Sequence, residues 1–258
     1  DFNDSNLLGK GKDMVDRLTE LIAIFEKPDL DFSRNRAEGD DLLGDAYEYL
    51  MKNFAVQSGK SKGQFYTPAE VSRVMSKVIG VSKATSSSQT VYDPTCGSGS
   101  LLIKADSESE LELSVFGQEI DNSMAGLAKM NMILHGIPTA DIRNGNTLAD
   151  PYFKEADGSL KRFDFAVSNP PFSMKNWKSG FDPNNDVYQR FDGFGIPPNS
   201  YGDYAFLLHL VKSLKSKGKG AIILPHGVLF RGGDEAEIRQ NLIKRGYIKG
   251  IIGLPANL

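Results

Sequence analysis

Thr90-Val91-Tyr92-Asp93-Pro94-Thr95-Cys96-Gly97-Ser98-Gly99-Ser100-Leu101 is the stretch that decides the fold. Thr90–Asp93 is a short run of β formers, and Pro94 ends it because proline has no N–H to give a ladder. Ser100–Ala105 then opens a helix. Gly97 and Gly99 lie in the turn between, where a residue without Cβ lets the backbone approach a ligand closely. Strand, glycine turn and helix in that order predict one βα unit of a parallel sheet.

Downstream the alternation continues. Leu113–Glu119 reads as a strand, 122–135 as a helix, Asp141–Asn144 as a third strand and Phe163–Ser168 as a fourth. Tyr204–Ser216 reads as a helix, Gly220–Leu224 as a strand, Glu235–Arg245 as a helix and Tyr247–Gly253 as a last strand. This pattern predicts an α/β fold with a doubly wound, mainly parallel sheet of Rossmann-like type, in which ligands bind at the carboxyl ends of the strands.

Upstream the periodicity is helical. Val15, Leu18, Ile22 and Phe25 share one helical spacing closed by Pro28, and Leu42, Leu43, Ala46, Tyr47, Leu50 and Phe54 make a second amphipathic set. Residues 56–64, rich in Gly, Ser and Lys, read as a loop. Thr67-Pro68-Ala69-Glu70 is a helix start, with Thr67 as cap, Pro68 in the first position and Glu70 completing a capping box. Val71, Val74, Met75, Val78 and Ile79 line one face of that helix, and Gly80 ends it. The expected organisation is an N-terminal helical domain over 1–63 and a catalytic domain over 64–258.

Composition narrows the class. The chain has 258 residues, 40% of them hydrophobic and 24% charged, which is ordinary for a globular protein. No apolar run approaches the roughly 18 residues of a membrane span. Asp1 to Lys12 is too polar for a secretory signal, and a single cysteine, Cys96, excludes an internal disulfide and fits a reducing cytoplasm. The net charge of −3 is a weak footprint for a protein that grips a polyanion by itself. Lys60 and Lys62, and Lys212, Lys215, Lys217 and Lys219, form local basic clusters that read first as solvated faces.

The polar motifs sit at strand ends. Glu119 closes the second strand, about 20 residues after the glycine turn, where a carboxylate accepts hydrogen bonds from the two hydroxyls of a ribose. Leu102 stands where a dinucleotide fingerprint would have its third glycine. Asp93, at the end of the first strand, would repel a pyrophosphate but suits a cationic amino-acid group. A nucleoside that carries an amino group and a sulfonium satisfies both acids, so the loop favours S-adenosylmethionine over NAD or FAD. Cys96 reads as a small packing residue rather than a nucleophile, because no base is near it in sequence.

Asn169-Pro170-Pro171-Phe172 follows the strand Phe163–Ser168. Two prolines end the ladder and fix the direction of the carbonyls. An Asn oxygen and a proline carbonyl together accept both hydrogens of an amino group and turn its lone pair toward an electrophile. Phe172 offers a face for an extruded base.

With these residues the chain resembles the amino-group methyltransferases, and in the order of cofactor loop before tetrapeptide it resembles the adenine-modifying methylation (M) subunits of type I restriction-modification systems. Gly63-Gln64-Phe65-Tyr66-Thr67-Pro68, Gly117-Gln118-Glu119-Ile120-Asp121, Asn131-Met132-Ile133-Leu134-His135-Gly136 and Leu224-Pro225-His226-Gly227-Val228-Leu229-Phe230 are similar to segments of that family, and the likeness runs from about Asp41 to Leu258. The resemblance implies transfer of a methyl group from S-adenosylmethionine to the N6 amine of adenine in duplex DNA. It implies cofactor contacts from Gln64, Phe65, Tyr66, Thr67 and Pro68, and from Asp93, Thr95, Cys96, Gly97, Ser98, Gly99, Ser100 and Leu101. Glu119, Asn146 and Asn169 join them. Asn146 stands where relatives often carry an Asp on the adenine amine, and an Asn oxygen can accept the same bond. Asn169, Pro170, Pro171 and Phe172 become the catalytic set. DNA, a specificity (S) subunit and a restriction (R) subunit are the implied partners, and family members extend beyond both ends of this chain.

Two other functions are weighed. A protein glutamine methyltransferase uses a similar tetrapeptide on an amide nitrogen, but the Gln64–Pro68 segment and the helices before it argue against that. A non-catalytic assembly subunit would not need an intact Asn169–Phe172. No zinc pattern is available to one cysteine and three scattered histidines, so no metal is expected. Residues 173–200, with Trp177, Phe181, Tyr188, Phe191 and Phe194, are read as a lid over DNA and the extruded base, against a disordered insert.

Overall fold

The computed structural model describes residues 9–25, 27 and 67–255. The expected helix over 42–54, the loop over 56–64, Lys60, Lys62 and the Gln64, Phe65 and Tyr66 contacts lie outside the described residues. The chain divides into two compact units, Asp1–Tyr47 and Glu48–Leu258. In the first, α1 spans Lys12–Phe25. Leu18 is half-buried in it, whereas Val15 and Ile22 remain 61% and 56% exposed.

In the second unit, α2 spans Ala69–Ile79 and ends on Gly80 at a left-handed φ of 75°. Val71, Met75 and Ile79 are buried, while Val74 and Val78 are exposed, so the apolar stripe is narrower than the sequence predicts. The capping box is not formed. Pro68 occupies the N-cap position, no side chain caps the helix, and the Thr67 hydroxyl is used elsewhere.

The sheet has five strands in the order β3-β2-β1-β4-β5, and every ladder is parallel. They are β1 Thr90–Asp93, β2 Ser114–Glu119, β3 Asp141–Asn144, β4 Phe163–Ser168 and β5 Leu214–Ile222. Helix α3 (Ser100–Ser107) follows β1, α4 (Asn122–Leu134) follows β2, α5 (Asp203–Lys212) precedes β5, and α6 (Asp234–Lys244) comes after it. The chain builds outward from β1 to β3 and then returns to lay β4 on the other side of β1. That reversal puts the topological switch point at the carboxyl ends of β1 and β4, the place where such sheets bind ligands.

Side chains alternate across each strand and so serve two cores. Val91 and Val115 pack with Leu102, Ala128 and Met132 in one. Their neighbours Tyr92 and Phe116 meet Phe153 and Phe163 in another, where the Tyr92 and Phe163 rings stack at 4.3 Å. A third core joins Trp177, Phe191 and Phe194 to Tyr204, Leu208, Ile238 and Leu242 of α5 and α6. Each fully buried side chain of this size contributes roughly 1.5–3 kcal/mol of transfer free energy.

Two expectations at the end of the chain are corrected. The helix expected over 204–216 stops at Lys212, and β5 begins at Leu214 rather than Gly220. Pairing with β4 overrides the local composition, and the register steps from Phe163↔Leu214 to Phe165↔Lys219, which places Lys215–Gly218 in an irregular ladder. Tyr247–Gly253, expected as a strand, joins no ladder among the described residues and is exposed throughout. Apolar β formers make a strand only when a neighbouring edge takes up their backbone groups.

Candidate active site

The loop after β1 is stitched to the end of β2. Cys96 N–H donates to the Gln118 carbonyl at 3.0 Å, Gly97 N–H to Glu119 Oε2 at 2.9 Å, and Asp121 N–H to Glu119 Oε1 at 2.9 Å. Each Glu119 oxygen thus accepts one backbone N–H and retains lone-pair capacity for a further donor. Behind the loop, Asn131 Nδ2 donates to the Ser98 carbonyl at 3.0 Å. Gly99 has φ 82°, where a residue with a Cβ is strained, and a Cβ there would lie 2.7 Å from Met132 Cε, so that side chain would have to shift to make room.

Asp93 is 1% exposed, and its Oδ1 accepts from Thr95 N at 2.8 Å. Burial, with the Glu119 charge adding to it, pushes its carboxyl up to about 8 against the opposing bond from Thr95. Ser98, Ser100 and Leu101 are buried where the loop turns into α3. Cys96 is buried too, its Sγ 3.0 Å from where a Cβ on Gly117 would stand. Burial, then Asp93 and Glu119, raise its thiol, which opposes formation of a nucleophilic thiolate.

The segment after β3 closes over this loop. Thr147 Oγ1 donates to the Pro94 carbonyl at 2.6 Å. Asn146 Oδ1 accepts from Leu148 N at 3.0 Å and Ala149 N at 3.2 Å, so the oxygen expected at a ligand amine also organises this turn. Gln118 is wholly buried; it donates to the Asp150 carbonyl and accepts from Tyr152 N, each at 2.9 Å. Its place inside Gly117-Gln118-Glu119 was the only sequence signal of that role.

The tetrapeptide follows β4 beside the loop. Ser168, the last residue of β4, and Thr95 share a hydroxyl–hydroxyl bond of 2.8 Å. Asn169 Nδ2 donates to Thr67 Oγ1 at 3.2 Å. Pro170 is buried, Asn169 and Pro171 are half-buried, and the Phe172 ring is 48% exposed. Thr67, Asp93, Thr95, Ser168 and Asn169 are thereby tied together, while Pro68 stands at the mouth of α2.

Residues 173–200 carry a packed core rather than a structureless insert. Trp177 is 1% exposed and donates from Nε1 to the Pro198 carbonyl at 2.9 Å. Arg190, also 1% exposed, pairs with Asp186 through Nε–Oδ2 at 2.9 Å and Nη2–Oδ1 at 2.8 Å. His209 lies against them at 3.4 Å from Arg190 Nη1 and 3.1 Å from the Tyr92 hydroxyl. Burial first, and Arg190 second, hold that imidazole well below its ordinary pKa. His135 is buried against the Asn131 carbonyl, and His226 is exposed. No group of metal-binding side chains occurs among the described residues. Lys212, Lys215 and Lys217 lie around the start of β5, opposite the carboxyl ends, and Lys215 pairs with Asp164 at 2.7 Å.

A family model described as N-6 DNA Methylase matches residues 38–258. The chain belongs to the N-6 DNA methylase family. Among curated proteins, this N-6 DNA methylase chain is 36% identical to the type I restriction enzyme MpnII methylase subunit of Mycoplasma pneumoniae, over 95% of this chain and 46% of that protein. It is 33% identical to the MjaVII methylase subunit of Methanocaldococcus jannaschii, over 96% of this chain and 42% of that protein. Among solved structures, the type I restriction-modification methyltransferase subunit of Streptococcus thermophilus matches with a TM-score of 0.77 and 39% identity, covering 100% of this chain and 53% of that one. The methylase chain therefore spans about half the length of these relatives. No helix among its described residues is long and apolar enough to cross a membrane.

Proposed function

We propose that this chain is the catalytic part of the modification subunit of a type I restriction-modification system, acting in the cytoplasm, and that it transfers a methyl group from S-adenosylmethionine to the N6 amine of adenine in duplex DNA. The observation that carries this is the junction of the two motifs: Asn169 follows β4 and Asp93 ends β1 on adjacent strands, bridged by the Thr95–Ser168 hydroxyl bond. We also propose that 1–63 form an N-terminal helical domain and 64–258 the catalytic domain.

The residues present fit the cofactor. A buried acid with a raised pKa seeks a cation, and the amino group of the methionine end supplies one to Asp93. Glu119, already oriented by two backbone donors, accepts the ribose hydroxyls. Thr67 and Pro68 flank the methionine end, where the family resemblance also assigns Gln64, Phe65 and Tyr66 as contacts, Thr95–Leu101 form the floor, and Asn146 faces the adenine amine. When bound, S-adenosylmethionine supplies an electrophilic methyl on a sulfonium.

Asn169 Nδ2 is committed to Thr67, which fixes the plane of the amide and presents its oxygen as an acceptor. That oxygen and the Pro170 carbonyl receive the two hydrogens of the target amine and hold its lone pair toward the methyl. Phe172, half open to solvent, stacks on the extruded base. Residues 173–200 act as the wall over that base. The target amine would take the methyl directly as the carbon–sulfur bond breaks, leaving the sulfur as a neutral thioether; no covalent bond to the protein forms, and the proton lost from nitrogen passes to water.

The test follows labelled methyl from cofactor into DNA and into protein. Transfer to adenine N6 is expected, and label found on protein glutamine, or nowhere, overturns the assignment. Asn169→Ala is expected still to bind S-adenosylmethionine, with the larger loss, about a hundredfold, in transfer rate, by analogy with the loss of one preorganised polar group. Sequence-specific methylation is expected only with a separate specificity subunit, with which a restriction subunit then associates. The net charge of −3 is a weak footprint for gripping phosphates without a partner. Efficient methylation of one defined sequence without a partner would refute that dependence.

A further inference from the structure

The chain leaves the tetrapeptide through an uncommon backbone state. Ser173, the residue after Phe172, has φ 51°, in the left-handed region that a residue with a Cβ enters only at a steric cost. One side chain holds it there. Asp203, the first residue of α5 and 0% exposed, accepts from Ser173 N at 2.7 Å through Oδ1. The next turn is clamped as well, because Gly202 N–H donates to the Met174 carbonyl at 3.0 Å.

Asp203 is itself held from the other side. Its Oδ2 pairs with Arg231 Nη2 at 3.1 Å. The same guanidinium reaches Glu235 Oε1 at 3.3 Å and lies 4.2 Å from the centre of the Tyr201 ring. One buried carboxylate thus joins the exit of the tetrapeptide to the segment after β5. Each of its oxygens has one partner, so the carboxylate cannot turn without breaking both bonds.

We propose that Asp203 is a positioning residue for methyl transfer: by locking Ser173 in the left-handed conformation it fixes the direction of Phe172, and so the plane on which the target base stacks. The inference rests on the function proposed above. Phe172 is anchored on its N-terminal side by two prolines, and its C-terminal side would otherwise be free to choose between left- and right-handed turns. A Phe172 that swings leaves the base less often in line with the methyl, which lowers the rate without touching the cofactor loop.

The experiment uses the complete subunit in its assembled complex, with labelled S-adenosylmethionine and unmethylated genomic DNA. Asp203→Ala is expected to lower kcat by about tenfold or more while the cofactor Kd stays within about twofold. Adding Ser173→Gly is expected to recover much of that loss, because glycine enters the left-handed region without the Cβ penalty and no longer needs the carboxylate. Asp203→Asn, which keeps volume and an acceptor oxygen, is expected to stay within about threefold of wild type. A role in stability alone would show as a lower Tm that the added glycine does not correct. An active wild type whose Asp203→Ala loss persists in the double variant overturns the positioning role, as does a tenfold loss in Asp203→Asn should the alanine variant fail to fold. A wild-type complex that methylates no DNA overturns the underlying function, and the inference with it.

Discussion

Asn169 and Thr67 are 102 positions apart in sequence, yet the amide nitrogen of one donates to the hydroxyl of the other at 3.2 Å. The bond turns the nitrogen end of the amide toward Thr67. Thr67→Val removes the acceptor and keeps the shape, at a cost of about 1 kcal/mol, or roughly fivefold in transfer rate. Thr67→Ser should remain near wild type. Equal rates for Val and Ser in a single-turnover assay would show that the hydroxyl does not orient Asn169.

Glu119 holds the loop and is proposed to hold the ribose. Glu119→Ala should weaken S-adenosylmethionine by roughly 1.5–3 kcal/mol, since acceptors to hydroxyl and backbone donors are lost together. Calorimetry reads this directly, and a Kd within twofold of wild type would remove Glu119 from the binding set. Glu119→Gln should fall between, because one acceptor oxygen remains.

In the proposed site, Asp93 is expected to make cofactor binding depend on pH. Its carboxyl, raised to about 8 by burial and by Glu119, is largely protonated in the ligand-free chain at neutral pH. A cationic amine favours the ionised form, so binding at neutral pH expels a proton, and affinity should rise as pH climbs from about 6.5 toward 8, above which the ligand's own amine loses its charge. Calorimetry in buffers of different ionisation heat should show that release; a pH-independent Kd would rule it out. The stability of the ligand-free chain moves the opposite way. A folded pKa above the unfolded value of 3.8 means that this group's contribution is complete below that value and is lost as pH rises through about 8. Asp93→Asn should therefore gain thermal stability over wild type at alkaline pH while binding the cofactor less well.

Asp186 and Arg190 are 3% and 1% exposed. Burial works against the charge of Asp186, but its bonds to Arg190 outweigh it and hold the carboxyl below its usual range. Asp186→Ala leaves a guanidinium buried without its partner, which typically costs about 3–5 kcal/mol. A clear drop in Tm is expected. An unchanged Tm would mean that residues 173–200 are not anchored through this pair.

Much of the fold was legible because parallel sheets leave strong local marks. β1, β3 and β4 end where the chain meets Pro94, Gly145 and Asn169-Pro170, and the glycine turn announces the loop. The lysine-rich start of β5 was not legible, since Lys215, Ser216 and Lys217 lie in the irregular stretch between the Phe163↔Leu214 and Phe165↔Lys219 pairs and are strand only because those pairs hold the ladder. Tyr247–Gly253 failed in the reverse sense, with strand-like composition and no ladder among the described residues. At the candidate site, Asp93, Glu119 and Asn169 stood out by position. Thr67 was misread locally as a helix cap, and Asp203 gave no signal, because its value lies in a contact 30 residues away.

The placement of loop and tetrapeptide on neighbouring strands makes the sheet a ruler. Parallel strands are spaced about 4.8 Å apart by peptide hydrogen bonds, whatever side chains they carry. In the proposed reaction, the gap between methyl donor and acceptor is thus inherited from backbone geometry, and surface loops can drift in sequence and length without altering it. Variation that changes what the protein recognises is thereby uncoupled from variation that would change how far a methyl group must travel.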